Sequence, residues 1–139
     1  IGERLLRVYS VHYSSSIPHV TRTAQAQETV AHGATIDSPM VIAGDLNVGL
    51  YFADIKKSPA SLEPPNDPTV RVLVDAGFAD AHAGLPYELR ITHPPLLVLD
   101  LVMGRGAGFR DPGRCPPKRC GKLSDHLPIW AHMDWPKGP

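Results

Sequence analysis

The order of apolar and polar residues in the first third of the chain predicts a strand, a helix and a second strand. Residues 5–13 are rich in β-branched and aromatic side chains and end at a Ser-Ser-Ser-Ile-Pro breaker, which indicates a strand. The stretch from Val20 to Ala34 is poor in glycine and proline and suits a helix of modest amphipathicity. The run from Met40 to Gly44 is short and continuously apolar, which predicts a strand buried on both of its faces.

The remainder of the chain predicts another helix and further strands, separated by long loops. Four prolines and the lack of periodicity indicate a long surface loop over residues 49–68. Residues 69–76 resemble a short helix that is capped by Gly77. We expect strands at 90–92 and 96–102, a loop rich in Gly, Pro and Arg at 104–122, and a last strand that ends near Met133. The sequence shows no internal repeat and no domain boundary.

Several polar residues stand at the ends of these predicted strands or interrupt an apolar segment. His12 lies near the end of the first strand, and Asp45 and Asn47 lie in the turn after the second. Asp100 lies inside an apolar segment, so its carboxylate needs a partner. The segment Ser124-Asp125-His126 forms a polar corner before the last strand. Taken singly, each of these residues is also explained by an ordinary turn, a cap or a satisfied core group.

Length and composition place the chain among globular proteins. Its 139 residues, of which 42% are apolar, are typical of one domain. The longest apolar run, Leu96 to Met103, contains Asp100 and is too short for a membrane-spanning helix. The first residues lack the features of a signal peptide, so we expect a strand there and not a targeting segment. Fourteen basic and fourteen acidic residues give a net charge of zero, which excludes a global attraction to nucleic acid or to an acidic membrane.

Two local features lie between Arg110 and Lys122. Five basic residues in this loop face a single carboxylate, and the loop is either a solvated surface or a contact for phosphate groups, with Arg114 and Arg119 as the candidate contacts. Cys115 and Cys120 are too few for a tetrahedral zinc site without suitably spaced histidines. They either close a small disulfide loop in an oxidising compartment or remain free thiols in a reducing one.

The order of four motifs changes the interpretation of the polar residues. The motifs are Val11-His12, Val41-Ile-Ala-Gly-Asp45-Leu-Asn47, Leu99-Asp100-Leu-Val and Ser124-Asp125-His126-Leu-Pro128. In this order they resemble the signature of the endonuclease/exonuclease/phosphatase (DNase I-like) superfamily over residues 8–133. Weaker resemblances to family positions are found at Arg22, Gln25, residues 77–81 and Thr92.

The resemblance implies an α/β (α+β) fold that is part of a four-layer α/β/β/α sandwich. Residues 1–139 would form the C-terminal portion of this domain, mainly as one mixed β-sheet with flanking helices. In the family, the N-terminal half supplies an early Asn and the Glu that is the principal Mg²⁺ ligand. One inner face of the sheet would lie open without that half. We therefore expect a longer native protein, a partner that supplies the half in trans, or a rearranged compact fold.

The activity that the resemblance implies is hydrolysis of a phosphate ester by activated water, as in a phosphodiesterase, a phosphatase or a nuclease. In this scheme His126 is the general base or an electrostatic partner, and Asp100 accepts the other ring proton of His126. Asp45 would orient or deprotonate the attacking water. His12 and Asn47 would donate hydrogen bonds to phosphate oxygens.

The implied cofactor is Mg²⁺, with Mn²⁺ as an alternative, since Mg²⁺ prefers oxygen ligands and retains several waters. Its ligands in this chain would be Asp125, Asp45 and Asn47. The substrate class stays open among nucleic acid, phospholipid headgroups and inositol phosphates. A function of a different class also remains: a non-catalytic remnant or phosphate-binding module that lacks the N-terminal metal ligand.

Overall fold

The structure is a computed structural model that describes residues 5–16, 19–35, 37–48 and 67–135. The elements follow in the order β1 (Arg7–His12), α1 (Val20–Ala34), β2 (Met40–Asp45), α2 (Pro68–Asp75), β3 (Ala79–Asp80), α3 (Tyr87–Arg90), β4 (Asp100–Arg105), β5 (Gly108–Arg114), α4 (Pro117–Cys120) and β6 (Ile129–Asp134). The first strand, the long helix and the second strand lie where the sequence predicts them. Most of the loop predicted at 49–68 falls outside the described residues.

Four strands form a mixed sheet in the order β1-β2-β4-β3. Strands β1 and β2 are parallel and are joined through α1, whereas β4 runs antiparallel to both β2 and β3. Strands β5 and β6 pair with each other in a separate antiparallel sheet. The expected fold class, a mixed α+β arrangement with flanking helices, is thus confirmed, and the two-stranded sheet is added to the single sheet that was expected.

One face of the mixed sheet carries the core. Alternate residues of β2 and β4 point to this face, among them Met40, Ile42, Leu101 and Met103, and all four are fully buried. Ala26 of α1 and Leu73 of α2 belong to the same apolar cluster. Removing such side chains from water stabilises the fold by roughly 1.5–3 kcal/mol for each large one. Within the described part, no helix combines the length and the apolar character that crossing a membrane requires.

The sequence prediction is wrong for several elements between residues 87 and 122. Residues 90–92 are not a strand, because Arg90 ends α3 and only His93 pairs with Leu97 in an isolated bridge. The strand predicted at 96–102 begins instead at Asp100 and runs to Arg105. Residues 97–99 are buried in the irregular segment that precedes it, and a short apolar run marks burial in such a segment as readily as in a strand.

The loop predicted at 104–122 contains the end of β4, strand β5 and helix α4. Strand β5 has the sequence Gly-Phe-Arg-Asp-Pro-Gly-Arg, which has neither apolar alternation nor high β-propensity. Its pairing with β6 shifts register between Arg110 and Gly113, and Asp111 has a φ of 49° there. A proline and a glycine are tolerated in a strand at such a bulge, so the strand forms against the local signal.

Candidate functional site

The register of three strands places three of the expected functional residues in one row. His12 at the end of β1 pairs with Asp45 at the end of β2, and Asp45 pairs with Asp100 at the start of β4. Because β4 is antiparallel to β2, the end of one strand meets the start of the other at the same sheet edge. Two carboxylates directly opposite each other repel, so this pair requires a nearby positive charge or hydrogen-bond donor.

His126, from the corner before β6, supplies that donor. Its Nδ1 lies 2.8 Å from Oδ2 of Asp100, and its Nε2 lies 4.0 Å from Oδ2 of Asp45. A carboxylate only accepts, so the Nδ1–H group donates to Asp100 and the lone pair on Nε2 is directed toward the cleft. The expected contact between Asp100 and His126 is therefore confirmed. Nε2 of His12 lies 3.5 Å from the same Asp45 oxygen.

Thr92 holds the two partners of this dyad together. Its Oγ1 accepts hydrogen bonds from the backbone N–H groups of Leu99 and Asp100, both at 3.0 Å. Its carbonyl accepts a hydrogen bond of 2.7 Å from the N–H of Leu127, next to His126. Thr92 is only 1% exposed. One buried threonine thus fixes the start of β4 and the corner that carries the histidine.

Asn47 shapes the turn after β2. Its backbone N–H donates to Oδ1 of Asp45 at 2.8 Å, and its side-chain Nδ2 donates to the carbonyl of Tyr13 at 2.8 Å. Its φ of 51° lies in the left-handed region, which Asn tolerates better than most residues. Asn47 is 5% exposed, and its amide retains a second N–H.

Two residues of α1 hold the segment that follows His12. Oε1 of Gln25 accepts a hydrogen bond of 2.7 Å from the N–H of Ser14. The buried guanidinium of Arg22 donates to the carbonyl of Ser16 and lies 3.2 Å from Oδ2 of Asp67, the residue that caps α2. The Arg and Gln of this helix therefore position the end of β1 against the helices.

The electrostatic environment shifts the pKa of two site residues. Burial and then the charge of Asp100 raise the pKa of Asp45, although the N–H of Asn47 and the two histidines oppose this. Burial lowers the pKa of His126, but the hydrogen bond and charge of Asp100, with the charges of Asp45 and Asp125, outweigh burial and raise it overall. A site with this excess of negative charge attracts protons and other cations.

A histidine that the sequence analysis missed also lies at this site. His93, Asp125 and His126 each present a ligand atom, and these atoms all lie within 4.8 Å of one another. Nε2 of His93 lies 3.8 Å from Oδ2 of Asp125, whose side chain is 81% exposed. A lone histidine before two prolines carries no periodic signal. Its one clue in the sequence is that it follows Thr92.

The basic loop is held by local contacts. Nη1 of Arg114 donates to the carbonyl of Ile91 at 2.8 Å, two residues before His93. Arg119 is exposed on α4. Cys115, just before this helix, and Cys120, at its end, form a disulfide. The phosphate contacts expected of the two arginines remain predictions.

Comparison with known proteins gives a fold match and no sequence match. No protein-family model matches the chain, and no curated protein matches it by sequence. A conserved protein of unknown function from Enterococcus faecalis is 19% identical, with a TM-score of 0.64 over 92% of this chain and 49% of that one. An endonuclease/exonuclease/phosphatase family protein from Bacteroides thetaiotaomicron is 15% identical, with a TM-score of 0.58 over 91% and 47%. A mannosyl-6-phosphatase from the same organism is 16% identical, with a TM-score of 0.56 over 92% and 51%.

This chain has the endonuclease/exonuclease/phosphatase fold. It spans about half the length of each of these three solved structures. Within this fold, the register of β1, β2 and β4 and the contact of His126 with Asp100 bring His12, Asp45, Asp100 and His126 to one edge of the mixed sheet.

The donor set at this edge suits a divalent cation. Asp45 and Asp125 offer carboxylate oxygens, and the repulsion between Asp45 and Asp100 would be relieved by a bound cation. The amide of Asn47, in the turn after Asp45, is held by its hydrogen bond to the carbonyl of Tyr13. Oxygen atoms of carboxylates and amides are ligands that Mg²⁺ accepts in proteins.

Proposed function

We propose that this chain is the C-terminal part of a metal-dependent phosphoesterase that hydrolyses a phosphate ester with activated water. The observation that carries the proposal is the row formed by His12, Asp45 and Asp100 on three paired strands, with His126 bonded across it. At one edge of the sheet, this arrangement brings together a base, His126, the carboxylate of Asp100 that orients it, and His12 as a hydrogen-bond donor for an anion.

The proton chemistry follows from the hydrogen bonds. Asp100 holds the Nδ1–H of His126, so Nε2 is the nitrogen that accepts a proton from the attacking water. Oδ2 of Asp45 lies close to Nε2 of His126 and accepts the second hydrogen of the same water, which orients its lone pair toward phosphorus. The water thereby becomes a better nucleophile without a free hydroxide.

The charge on the phosphate requires donors on its other side. His12 is 77% exposed and its Nε2 faces the same carboxylate oxygen, so its ring can donate to a non-bridging oxygen as negative charge develops there. Asn47 can donate with its second amide hydrogen, and Arg114 and Arg119 are candidates for outer phosphates.

Asp45, Asn47 and Asp125 would hold Mg²⁺, with Mn²⁺ as an alternative. When bound, the cation acts as a Lewis acid that stabilises the negative charge developing on the phosphoryl oxygens. The solved mannosyl-6-phosphatase makes a sugar phosphomonoester a substrate class to test beside nucleic acid, phospholipid and inositol phosphate substrates.

The test compares two histidine variants in the protein as its gene encodes it. Release of nitrophenol from p-nitrophenyl phosphate and from bis(p-nitrophenyl) phosphate is measured with Mg²⁺ or Mn²⁺. Loss of a general base is expected to lower kcat by about 10²–10⁴-fold in His126→Ala. The matched control is His132→Ala, which removes an exposed histidine on β6 and should retain activity. Phosphate binding without turnover would favour a phosphate-binding module instead. Turnover that survives His126→Ala would contradict the role of His126 as the base.

A further inference from the structure

We infer that His93, Asp125 and His126 form a site for a borderline divalent cation such as Zn²⁺, which competes with the use of His126 as a base. The ligand atoms of the three residues lie within 4.8 Å of one another. The inference deepens the site of the proposed function. The binding itself is independent of that function, and only the inhibition described below rests on it.

The kind of donor selects the kind of metal. Two imidazoles and one carboxylate suit Zn²⁺ and its neighbours among the transition metals, whereas Mg²⁺ prefers an all-oxygen shell. In a tetrahedral zinc site with bonds of about 2.0–2.1 Å, ligand atoms lie about 3.3 Å apart. Nε2 of His93 and Oδ2 of Asp125 lie 3.8 Å apart, so a small rotation of the exposed Asp125 side chain brings them to that separation.

The two imidazoles are already oriented for this role. His126 donates its Nδ1–H to Asp100, which is the carboxylate–histidine arrangement that directs Nε2 of a histidine at a metal. Nδ1 of His93 is buried and makes no hydrogen bond in the described part of the chain, so Nε2 is the ring atom open to a ligand. The rings meet edge to face, with centroids 5.2 Å apart.

The backbone holds His93 beside His126 without any metal. His93 exchanges two hydrogen bonds with Leu97, each of 2.9 Å, and these close the turn between the two residues. The preceding residue, Thr92, is bonded to the N–H of Leu127. Preorganised ligands lose little conformational entropy on binding, which favours a site over a chance approach of surface groups.

The consequence is a competition for one lone pair. A cation on Nε2 of His126 occupies the electron pair that must accept the proton of the attacking water. Zn²⁺ should therefore inhibit the Mg²⁺-dependent hydrolysis proposed above. This inhibition should be relieved by changes at His93, a residue that has no part in the proposed proton transfer.

The binding test uses Zn²⁺ alone, titrated calorimetrically into protein without a polyhistidine tag, in a buffer that does not chelate metal. One Zn²⁺ should bind per chain, and Co²⁺ should give visible absorption typical of nitrogen and oxygen ligands. His93→Ala and Asp125→Asn should each weaken Zn²⁺ binding at least tenfold. Even the loss of a residue that only hydrogen-bonds to a metal ligand costs about tenfold or more in affinity. His132→Ala is the control, because His132 lies 3.4 Å from Asp111 and so forms a His–Asp pair that lacks a second imidazole.

Wild-type affinity for Zn²⁺ in both His93→Ala and Asp125→Asn would overturn the inference. Circular dichroism shows whether His93→Ala folds. If His93→Ala does not fold, the Zn²⁺ affinity of Asp125→Asn, whose side chain is exposed, tests the inference. In the activity arm, the Zn²⁺ concentration for half inhibition should rise about tenfold in His93→Ala, in line with the binding loss. Zn²⁺ binding without any hydrolysis would contradict the proposed function alone, whereas hydrolysis without site-specific Zn²⁺ binding would contradict the inference alone.

Discussion

At the scale of single residues, the surroundings of His126 decide what the site can do. A histidine with an ordinary pKa of about 6.5 is half protonated close to neutral pH, and small changes around it move that balance. Here one hydrogen bond to Asp100 orients the ring and also raises the pKa of His126 above its ordinary value. Orientation and proton affinity therefore both depend on the Asp100 carboxylate. Asp100→Asn separates them, because the neutral amide oxygen can still accept the hydrogen bond from the ring but carries no charge.

Asp100→Asn should lower the pKa of His126, because the neutral amide removes the charge that favours the imidazolium. Proton transfer to His126 requires its neutral form, so activity rises as the pH passes upward through the pKa. The acid limb of the pH–rate profile should therefore lie above about pH 6.5 in the wild type and move to lower pH in Asp100→Asn. NMR titration of the His126 ring measures the pKa directly.

The control for this titration is Asp134→Asn. This change removes the charge of an exposed carboxylate that pairs with Arg110 and does not contact His126. The pKa of His126 should be unaffected by that change. An unchanged His126 pKa in Asp100→Asn would show that the 2.8 Å contact does not determine the protonation of the ring.

At the scale of elements, the end of β2 sets the geometry of the site. Gly44 has a φ of 142°, and a Cβ there would overlap the carbonyl oxygen of Val11 on the neighbouring strand. The close approach of the two backbones brings Asp45 beside His12 in the register. Glycine at this position is thus required by the sheet and, through the sheet, by the site.

Gly44→Ala should destabilise the fold by about 1–3 kcal/mol or more, because it combines an unfavourable φ with a clash against backbone that cannot move cheaply. Urea unfolding followed by circular dichroism measures this loss. Gly84→Ala is the matched control, since a Cβ at Gly84 would meet nothing within 4 Å. Equal stability of the two variants would contradict this prediction, because it would mean that β1 and β2 can move apart to admit the Cβ without loss of stability.

At the scale of the whole molecule, the two faces of the mixed sheet are unequal. Helices α1 and α2 cover one face with the apolar core. On β1 the other face presents Val8, which is 59% exposed, and the end of the sheet borders a groove of about 450 Å³ that includes Ala43, Val102 and Leu127. Two solved structures that match this fold are each about twice as long as this chain.

The 139-residue chain by itself should hydrolyse phosphodiesters weakly or not at all. The family that the motifs resemble has a glutamate as its principal Mg²⁺ ligand. The described glutamates of this chain, Glu28 and Glu88, are instead exposed on α1 and α3. Mg²⁺ held by one or two carboxylates and water binds loosely, so most of its stabilisation of the transition state, worth several kcal/mol, is lost at millimolar metal.

Nitrophenol release from bis(p-nitrophenyl) phosphate by the 139-residue chain, with Mg²⁺ or Mn²⁺, measures this deficit. The rate should stay close to that of its His126→Ala variant. Robust turnover that depends on metal and disappears in His126→Ala would show that these residues already form a complete site.

The sequence by itself determined the long helix, the first two strands and the residues of the dyad. Helix α1 and strand β2 have strong local signals, and the motifs around Asp45, Asp100 and His126 stand in a recognisable order. The sequence missed β5, since its Gly- and Pro-rich residues form a strand only because β6 is there to pair with them.

Only the tertiary structure decided which polar groups meet beyond the pair of Asp100 and His126, which the resemblance implied. Asp100 and His126 are in contact although 26 residues separate them in the sequence. His93 is placed beside them by its own hydrogen bonds to Leu97 and by the hydrogen bond between the neighbouring Thr92 and Leu127. Periodicity reports which side of an element is buried, and it carries no information on the distance between elements. The disulfide, the register that aligns His12 with Asp45 and the position of His93 all depend on such distances, so packing alone could reveal them.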